Sequence, residues 1–335
     1  GLAVMNPQTP FWLFLVLAFS AGLGGGDFSS YMPSTSLFFP KRLQGTALGI
    51  QAGIGNFGVS IVQFLTPWII GLAVFGTLAG GSQVFTKGAV TKNVWLQNAA
   101  FVYAIPLVLM AILAWVFLKS VPVRASLREQ FDIFKNKHTW FCTLTYVMTF
   151  GSFSGYAATF PLMIATIYGV FPGAPDPLKF AFLGPLVGSL IRVVMGPPSD
   201  RWGGAIFTTL SGVVMLGSVL LMAFSGLLTP TSMDQFPLFV VLMLVIFLAA
   251  GTGNASTFRQ YPIIFAHSPR QGAGVLGWTG AVAAYGPFIW ASLIGIAITK
   301  TGSPIPFFYG IAVYYLIVTF INWYYYQRKG CEKPS

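Results

Sequence analysis

Apolar residues fall into nine long blocks separated by polar breaks: residues 10–39, 42–75, 97–119, 139–169, 179–199, 205–229, 236–265, 274–299 and 305–327. Each reaches the ~20 residues that a helix needs to cross hydrocarbon, so the pattern predicts nine transmembrane helices. The first and seventh blocks run to about 30 residues and are expected to tilt or protrude. The second block has an unusual texture, carrying Gly45, Gly49, Gly53, Gly55 and Gly58 with Asn56 among them. A lipid-facing helix gains nothing from glycine, which costs about 1 kcal/mol against alanine. A smooth glycine face instead lets a neighbouring helix or a ligand approach the backbone. Asn56 adds a polar group that hydrocarbon penalises. This helix is expected to line something.

The polar breaks set the topology. If the first span runs inward, the inner loops hold Lys41, Arg42, Lys119, Arg124, Arg128, Lys135, Lys137, Arg201, Arg270, Arg328, Lys329 and Lys333, and the outer loops hold Lys87, Lys92, Lys179 and Lys300. That bias of 12 against 4 places the linker and the C-terminus of a multi-pass membrane protein in the cytoplasm. The charge-dense break from Lys119 to Lys137 reads as a cytoplasmic linker with a short amphipathic helix. The break from Gly76 to Gln97 reads as an outward-facing loop.

An internal repeat organises the blocks. Gly26-Asp-Phe-Ser-Ser-Tyr31 matches Gly253-Asn-Ala-Ser-Thr-Phe258, and Gln44-Gly45 matches Gln271-Gly272 at the same offset. After one inserted residue, Leu48-Gly49 matches Leu276-Gly277 and Gly58 matches Gly286. Spans one and two thus correspond to spans seven and eight, and three spans precede only the second copy. Symmetry predicts three more helices, roughly 90 residues, ahead of the first copy, giving two six-helix bundles with nine of twelve helices present. The expected domains are 1–118 (the last three helices of an N-terminal bundle), the linker 119–138, and 139–335 (a C-terminal bundle with a short tail).

Composition narrows the class. The chain is 55% hydrophobic and 7% charged, against roughly 25% charged in soluble domains. The net charge of +11 belongs to inner loops rather than to a nucleic-acid surface, so no nucleic-acid partner is expected. Cys142 and Cys331 imply no disulfide framework. His138 and His267 sit at loop edges without companions, so no metal and no cofactor is expected. There is no nucleophile triad, carboxylate pair, phosphate loop or HExxH motif, which argues against an enzyme.

Few polar groups lie within the spans. Arg192 sits inside the fifth, where a guanidinium costs about 3 kcal/mol even on the lenient insertion scale. It reads as a snorkelling or ion-paired residue, or as a rigid fork for an oxyanion. Asp27 is the one acid within a span. It is a candidate for proton coupling, or a water-facing or charge-paired group. Arg259 reads as a snorkelling or latch residue. Tyr146 and Phe150, four apart on one face, are candidate pocket walls, with Phe28 a third.

Gly196-Pro-Pro-Ser-Asp200-Arg201-Trp-Gly203 resembles the G-x-x-x-D-R-x-G loop of the major facilitator superfamily, so Gly196, Asp200 and Arg201 are expected to form a gating latch. Ala21-Gly-Leu-Gly-Gly-Gly-Asp-Phe-Ser-Ser, Phe38-Phe-Pro-Lys41, the run from Gln44 to Ser60 and Thr149-Phe-Gly-Ser-Phe together resemble the nitrate/nitrite porters of that superfamily. The resemblance covers essentially the whole chain. It implies an all-α two-bundle transporter of nitrate or nitrite in the inner (plasma) membrane, as antiporter or proton symporter, with the lipid bilayer and protons as further partners. It also implies substrate contacts from Arg192, Asn56, Tyr146, Phe150 and Phe28, with Gly25, Gly53 and Gly55 as substrate-facing backbone. A second arginine is expected from the first half, before the present chain. Two positions depart from the family pattern: Asp27 replaces a usual asparagine, and Ala283 a usual glycine. The alternatives are transport of another small anion, or a membrane anion sensor that does not transport.

Overall fold

The structure, a computed structural model, describes residues 9–75, 81–87, 90–119 and 126–335. Among the described residues, nine helical stretches are long and apolar enough to cross a membrane: Phe11–Phe38, Lys41–Ile69, Asn98–Phe117, Lys137–Tyr168, Leu178–Trp202, Gly204–Phe224, Met233–Ile264, Pro269–Thr301 and Ile305–Gln327. They coincide with the nine apolar blocks. Their ends shift for local reasons. The second stops at Ile69, just after Pro67, rather than at 75. The eighth starts at Pro269, because Ser268 accepts the Gln271 N–H as a cap and proline suits the first turn.

In chain order the helices are α1 (Phe11–Gly26), α2 (Phe28–Phe38), α3 (Gln44–Ile69), α4 (Asn98–Phe117), the short α5 (Leu127–Gln130), α6 (Lys137–Tyr146), α7 (Ser152–Met163), the short α8 (Leu178–Ala181), α9 (Leu183–Trp202), α10 (Gly204–Phe224), α11 (Phe236–Ile264), α12 (Pro269–Ala283), α13 (Gly286–Thr301) and α14 (Ile305–Asn322). A π-helical turn, Val147–Gly151, joins α6 to α7 and carries Phe150. Such turns widen a helix locally and recur at functional sites.

The chain divides into two compact units. Of the described residues, the first unit takes 9–27 and 61–119. Within it, α1 has no buried residue and α4 buries only Asn98, whose Nδ2 donates to the carbonyl of Leu72 at 2.5 Å. The break from Gly76 to Gln97 contains a structure that the loop reading left out. β1 (Gln83–Lys87) pairs antiparallel with β2 (Val90–Val94), in register from Gln83↔Val94 to Lys87↔Val90. Its alternating Val, Phe and Thr positions suit a strand.

The second unit takes 28–60 and 126–335. Its core is aromatic, with Tyr146, Phe153, Tyr156, Phe160, Phe247 and Phe258 all at most 1% exposed. Small residues let backbones meet: a Cβ on Gly188 would lie 3.0 Å from the Phe247 carbonyl, and one on Gly204 3.0 Å from the Gln260 nitrogen. A polar seam ties α10, α11 and α14. Thr208 donates to Gln260 (3.1 Å), Gln260 to Asn322 (2.7 Å), and Asn322 to the Ala205 carbonyl (2.9 Å). Interhelical bonds of this kind contribute about 0.6–2 kcal/mol each in a membrane. Of the expected linker, residues 120–125 lie outside the described residues. From Ser126 onward a capping box forms, with the Ser126 N–H donating to Glu129 at 2.7 Å, followed by a 3₁₀ turn, Phe131–Lys135.

Candidate functional site

Arg192 is placed by α9, whose buried face runs through Gly188, Ser189, Arg192, Gly196 and Ser199 at helical spacing. Its side chain is fully buried, and none of its three guanidinium nitrogens has a hydrogen-bond partner. Among the described residues no ion pair includes it. What it has is aromatic: the guanidinium carbon lies 3.9 Å from the centre of the Phe153 ring and 5.4 Å from that of Phe150. Cation–π contact stabilises a desolvated arginine by about 2 kcal/mol. That offsets only part of the cost of burying the charge and leaving its donors open. The arrangement is electropositive and unsaturated, and a planar oxyanion that accepts two or more hydrogen bonds would complete it.

The walls of this space come from α6, the π turn and α11. Tyr146 packs on Phe150 (5.6 Å between ring centres), Phe258 (6.1 Å) and Tyr261 (6.1 Å). Asn254 lies beside the Tyr146 hydroxyl but outside hydrogen-bond geometry, and both of its amide atoms are buried without partners. Ser189 Oγ, one turn before Arg192, is likewise buried and unpartnered.

The glycine stripe of α3 brings the first-half helix to α9. A Cβ on Gly49 would lie 2.9 Å from the Arg192 carbonyl, and one on Gly53 would lie 2.6 Å from Val193 Cγ2 and 2.9 Å from the Ser189 carbonyl. Farther along, Ser60 donates to the Phe182 carbonyl at 2.9 Å. The two helices therefore run antiparallel in close contact. Asn56, three residues past Gly53 on the same side, is half-buried and donates to the Ala52 carbonyl at 2.8 Å. Gly53 is thus taken up by helix packing, and Gly55 meets nothing within 4 Å.

At the Lys/Arg-rich end, Asp200 ties α9 to the first turn of α3. Asp200 Oδ1 accepts the Gly45 N–H at 3.0 Å, and its Oδ2 accepts both the Thr46 N–H and the Thr46 hydroxyl at 2.7 Å. Gly196 makes room, since its Cβ would sit 2.8 Å from Thr46 Cα. Arg259 Nε lies 3.8 Å from Asp200, and its guanidinium also donates to the Lys41 carbonyl. Arg201, expected in the latch, is exposed and lies over the Trp202 ring at 5.3 Å; the arginine paired with Asp200 is Arg259. Nearby, α2 meets α12, where a Cβ on Gly277 would lie 2.8 Å from the Ser29 carbonyl. Beside Ser29, Phe28 stacks on Phe150, with ring centres 5.4 Å apart and planes inclined by 11°. A planar anion sandwiched between rings needs about 7 Å, two van der Waals contacts. The rings are closed on each other.

No protein-family model matches the chain. It is 62% identical over 336 residues to the probable nitrate/nitrite antiporter NarK2 of Thermus thermophilus, covering 100% of this chain and 75% of that protein. It is 33% identical over 351 residues to the nitrate/nitrite transporter NarU of Escherichia coli (strain K12), covering 98% and 74%. The chain belongs to the NarK-like family of nitrate/nitrite porters. A more distant member, the probable nitrate transporter NarT of Staphylococcus epidermidis, is 26% identical over 314 residues, covering 92% and 72%. The fold is accordingly that of an all-α polytopic protein of the major facilitator superfamily.

Against the family expectation, the second unit brings together Arg192, Tyr146, Phe150 and Phe28, with Asn56 on the helix packed against α9. Gly25 and Asp27 belong to the first unit; a Cβ on Gly25 would meet nothing within 4 Å. Two residues at the centre escaped the sequence reading. Phe153, the ring closest to the guanidinium, is hidden among 32 phenylalanines, although it lies one turn past Phe150. Asn254 had a signal, since the repeat aligns it with Asp27.

Proposed function

We propose that this chain is a secondary transporter that exchanges nitrate and nitrite by alternating access of its two halves. The observation that carries the reading is Arg192: a fully buried cation with every guanidinium nitrogen open and two aromatic faces around it. Nitrate and nitrite are planar, small and singly charged, which matches a flat fork in a narrow aromatic slot. Exchange of one such anion for another balances charge without a titratable carrier. The Thermus relative is a probable nitrate/nitrite antiporter, which supports exchange over proton symport.

On this reading the Lys/Arg-rich end faces the cytoplasm, by the positive-inside rule. The Asp200–Gly45/Thr46 latch and the Phe28–Phe150 stack are then the cytoplasmic closure of the carrier, and each must open once per cycle. The protein acts as a carrier of anions and carries out no covalent step.

The test is nitrate-driven nitrite exchange in proteoliposomes with the full-length protein and Arg192→Ala alongside. Exchange that the substitution abolishes, with folded protein retained, is the expected result. Exchange indifferent to it overturns the assignment of the anion to Arg192.

A further inference from the structure

Asn254 remains without a role in the account above. It is fully buried on α11, and neither Oδ1 nor Nδ2 has a hydrogen-bond partner. Buried amides are nearly always paired, because leaving them open forfeits strong donors and acceptors. Its position is enforced by its neighbours. Gly251 presses α11 against α9, where a Cβ would lie 2.5 Å from Ile191 Cγ2. Gly253 presses it against the π turn, where a Cβ would lie 2.6 Å from Thr149 Cγ2. Thr257 Oγ1 donates back to the Asn254 carbonyl at 2.7 Å, holding that turn of the helix. The same helix presents Phe247 to Phe153 and Phe258 to Tyr146, the two rings that border Arg192 and Asn254.

Resting on the reading of Arg192 as the anion site, we infer that Asn254 is a second anion-contacting residue of this half. Its Nδ2 donates to an oxygen of the bound oxyanion beside the guanidinium. The chemistry favours an amide at this place. It adds a donor without cancelling the cation, whereas a carboxylate, which the repeat mate Asp27 carries, would compete with the anion for Arg192.

The experiment is calorimetric titration of nitrate into the full-length protein and three variants: Asn254→Ala, Asn254→Asp and Arg192→Ala. Asn254→Ala is expected to weaken binding about tenfold, the loss of one hydrogen bond to a charged ligand. Asn254→Asp is expected to weaken it further at pH 8 and to recover as the pH falls and the introduced carboxylate protonates. The titratable side chains near it, Tyr146 and Arg192, are a phenol and a guanidinium, which do not change protonation between about pH 5 and 8, so the native protein should show no such trend. Wild-type affinity in both Asn254 variants, with binding lost in Arg192→Ala, overturns the Asn254 assignment alone. Retained binding in Arg192→Ala overturns the reading beneath it. Should Asn254→Ala fail to fold, the near-isosteric Asp variant decides: weakened binding with a flat pH profile marks a merely structural residue.

Discussion

Asp200 caps a helix that is not its own: through one oxygen it holds both the backbone N–H and the hydroxyl of Thr46, 154 residues away in sequence. A carboxylate at the first turn of α3 satisfies N–H groups there and meets the positive end of the helix dipole. Removing a cap costs about 1 kcal/mol, or about fivefold in a gating equilibrium. Asp200→Asn should therefore raise the alkylation rate of a cysteine placed at Gln44, which is now buried at that end, by about fivefold. An unchanged rate would show that the latch does not hold this end closed.

The glycines of α3 should divide sharply on substitution. Gly49→Ala and Gly53→Ala drive a methyl into the backbone of α9, which cannot yield as a side-chain tip would. Both should lower the melting temperature and the exchange rate. Gly55→Ala and Gly58→Ala meet nothing within 4 Å, so they should be neutral, or stabilising by up to about 1 kcal/mol through helix propensity. Melting curves in detergent for all four variants check this.

Arg192 should be a liability for the fold. Replacing it with methionine removes a desolvated cation and fills much the same volume, a kind of change that is often neutral or stabilising by about 1–4 kcal/mol. Arg192→Met should therefore melt a few degrees higher than the native protein while binding no nitrate. A lower melting temperature would assign the guanidinium a structural role.

At the Lys/Arg-rich face, Arg270 donates to the carboxylate of Asp132 and to the carbonyl of Glu129, pinning the segment after the linker to α12. The hydrogen bond from Arg270 holds the Asp132 carboxyl below its ordinary value. Glu332 is lowered in the same way by its bonds to Lys137 and then His138. For a lowered carboxyl, the stabilisation is complete above the ordinary value, about 4. It is lost as the pH falls through the folded value beneath that. Proteolysis near residues 126–136 should thus be unchanged between pH 7 and 5. Arg270→Gln at pH 7 should accelerate it by about two- to fivefold, the range of an exposed pair.

Much of the helical architecture was legible because hydropathy over about 20 residues is a strong signal. The hairpin at Gln83–Val94 was missed because its short run of Val, Phe and Thr sits among Lys, Asn and Gly, and reads as loop until two strands are seen to pair. The spacing of Gly45, Gly49 and Gly53 announced a close approach. Which glycines meet a partner depends on the register against α9, which sequence does not carry. The latch motif singled out Asp200, whose carboxylate is almost buried against α3. Its partners, Thr46 and Arg259, lie on other helices, and only packing selects Arg259 over the neighbouring Arg201.

The full burial of Arg192 has a kinetic meaning for a carrier. When the site is loaded, closing the halves buries Arg192 together with its counter-anion; when it is empty, closing must dehydrate a bare cation. A difference of about 3 kcal/mol slows the empty return by roughly a hundredfold. Tight coupling of outward to inward flux would then need no mechanical interlock. On the proposed function, the stoichiometry of exchange is set by the hydration of one side chain.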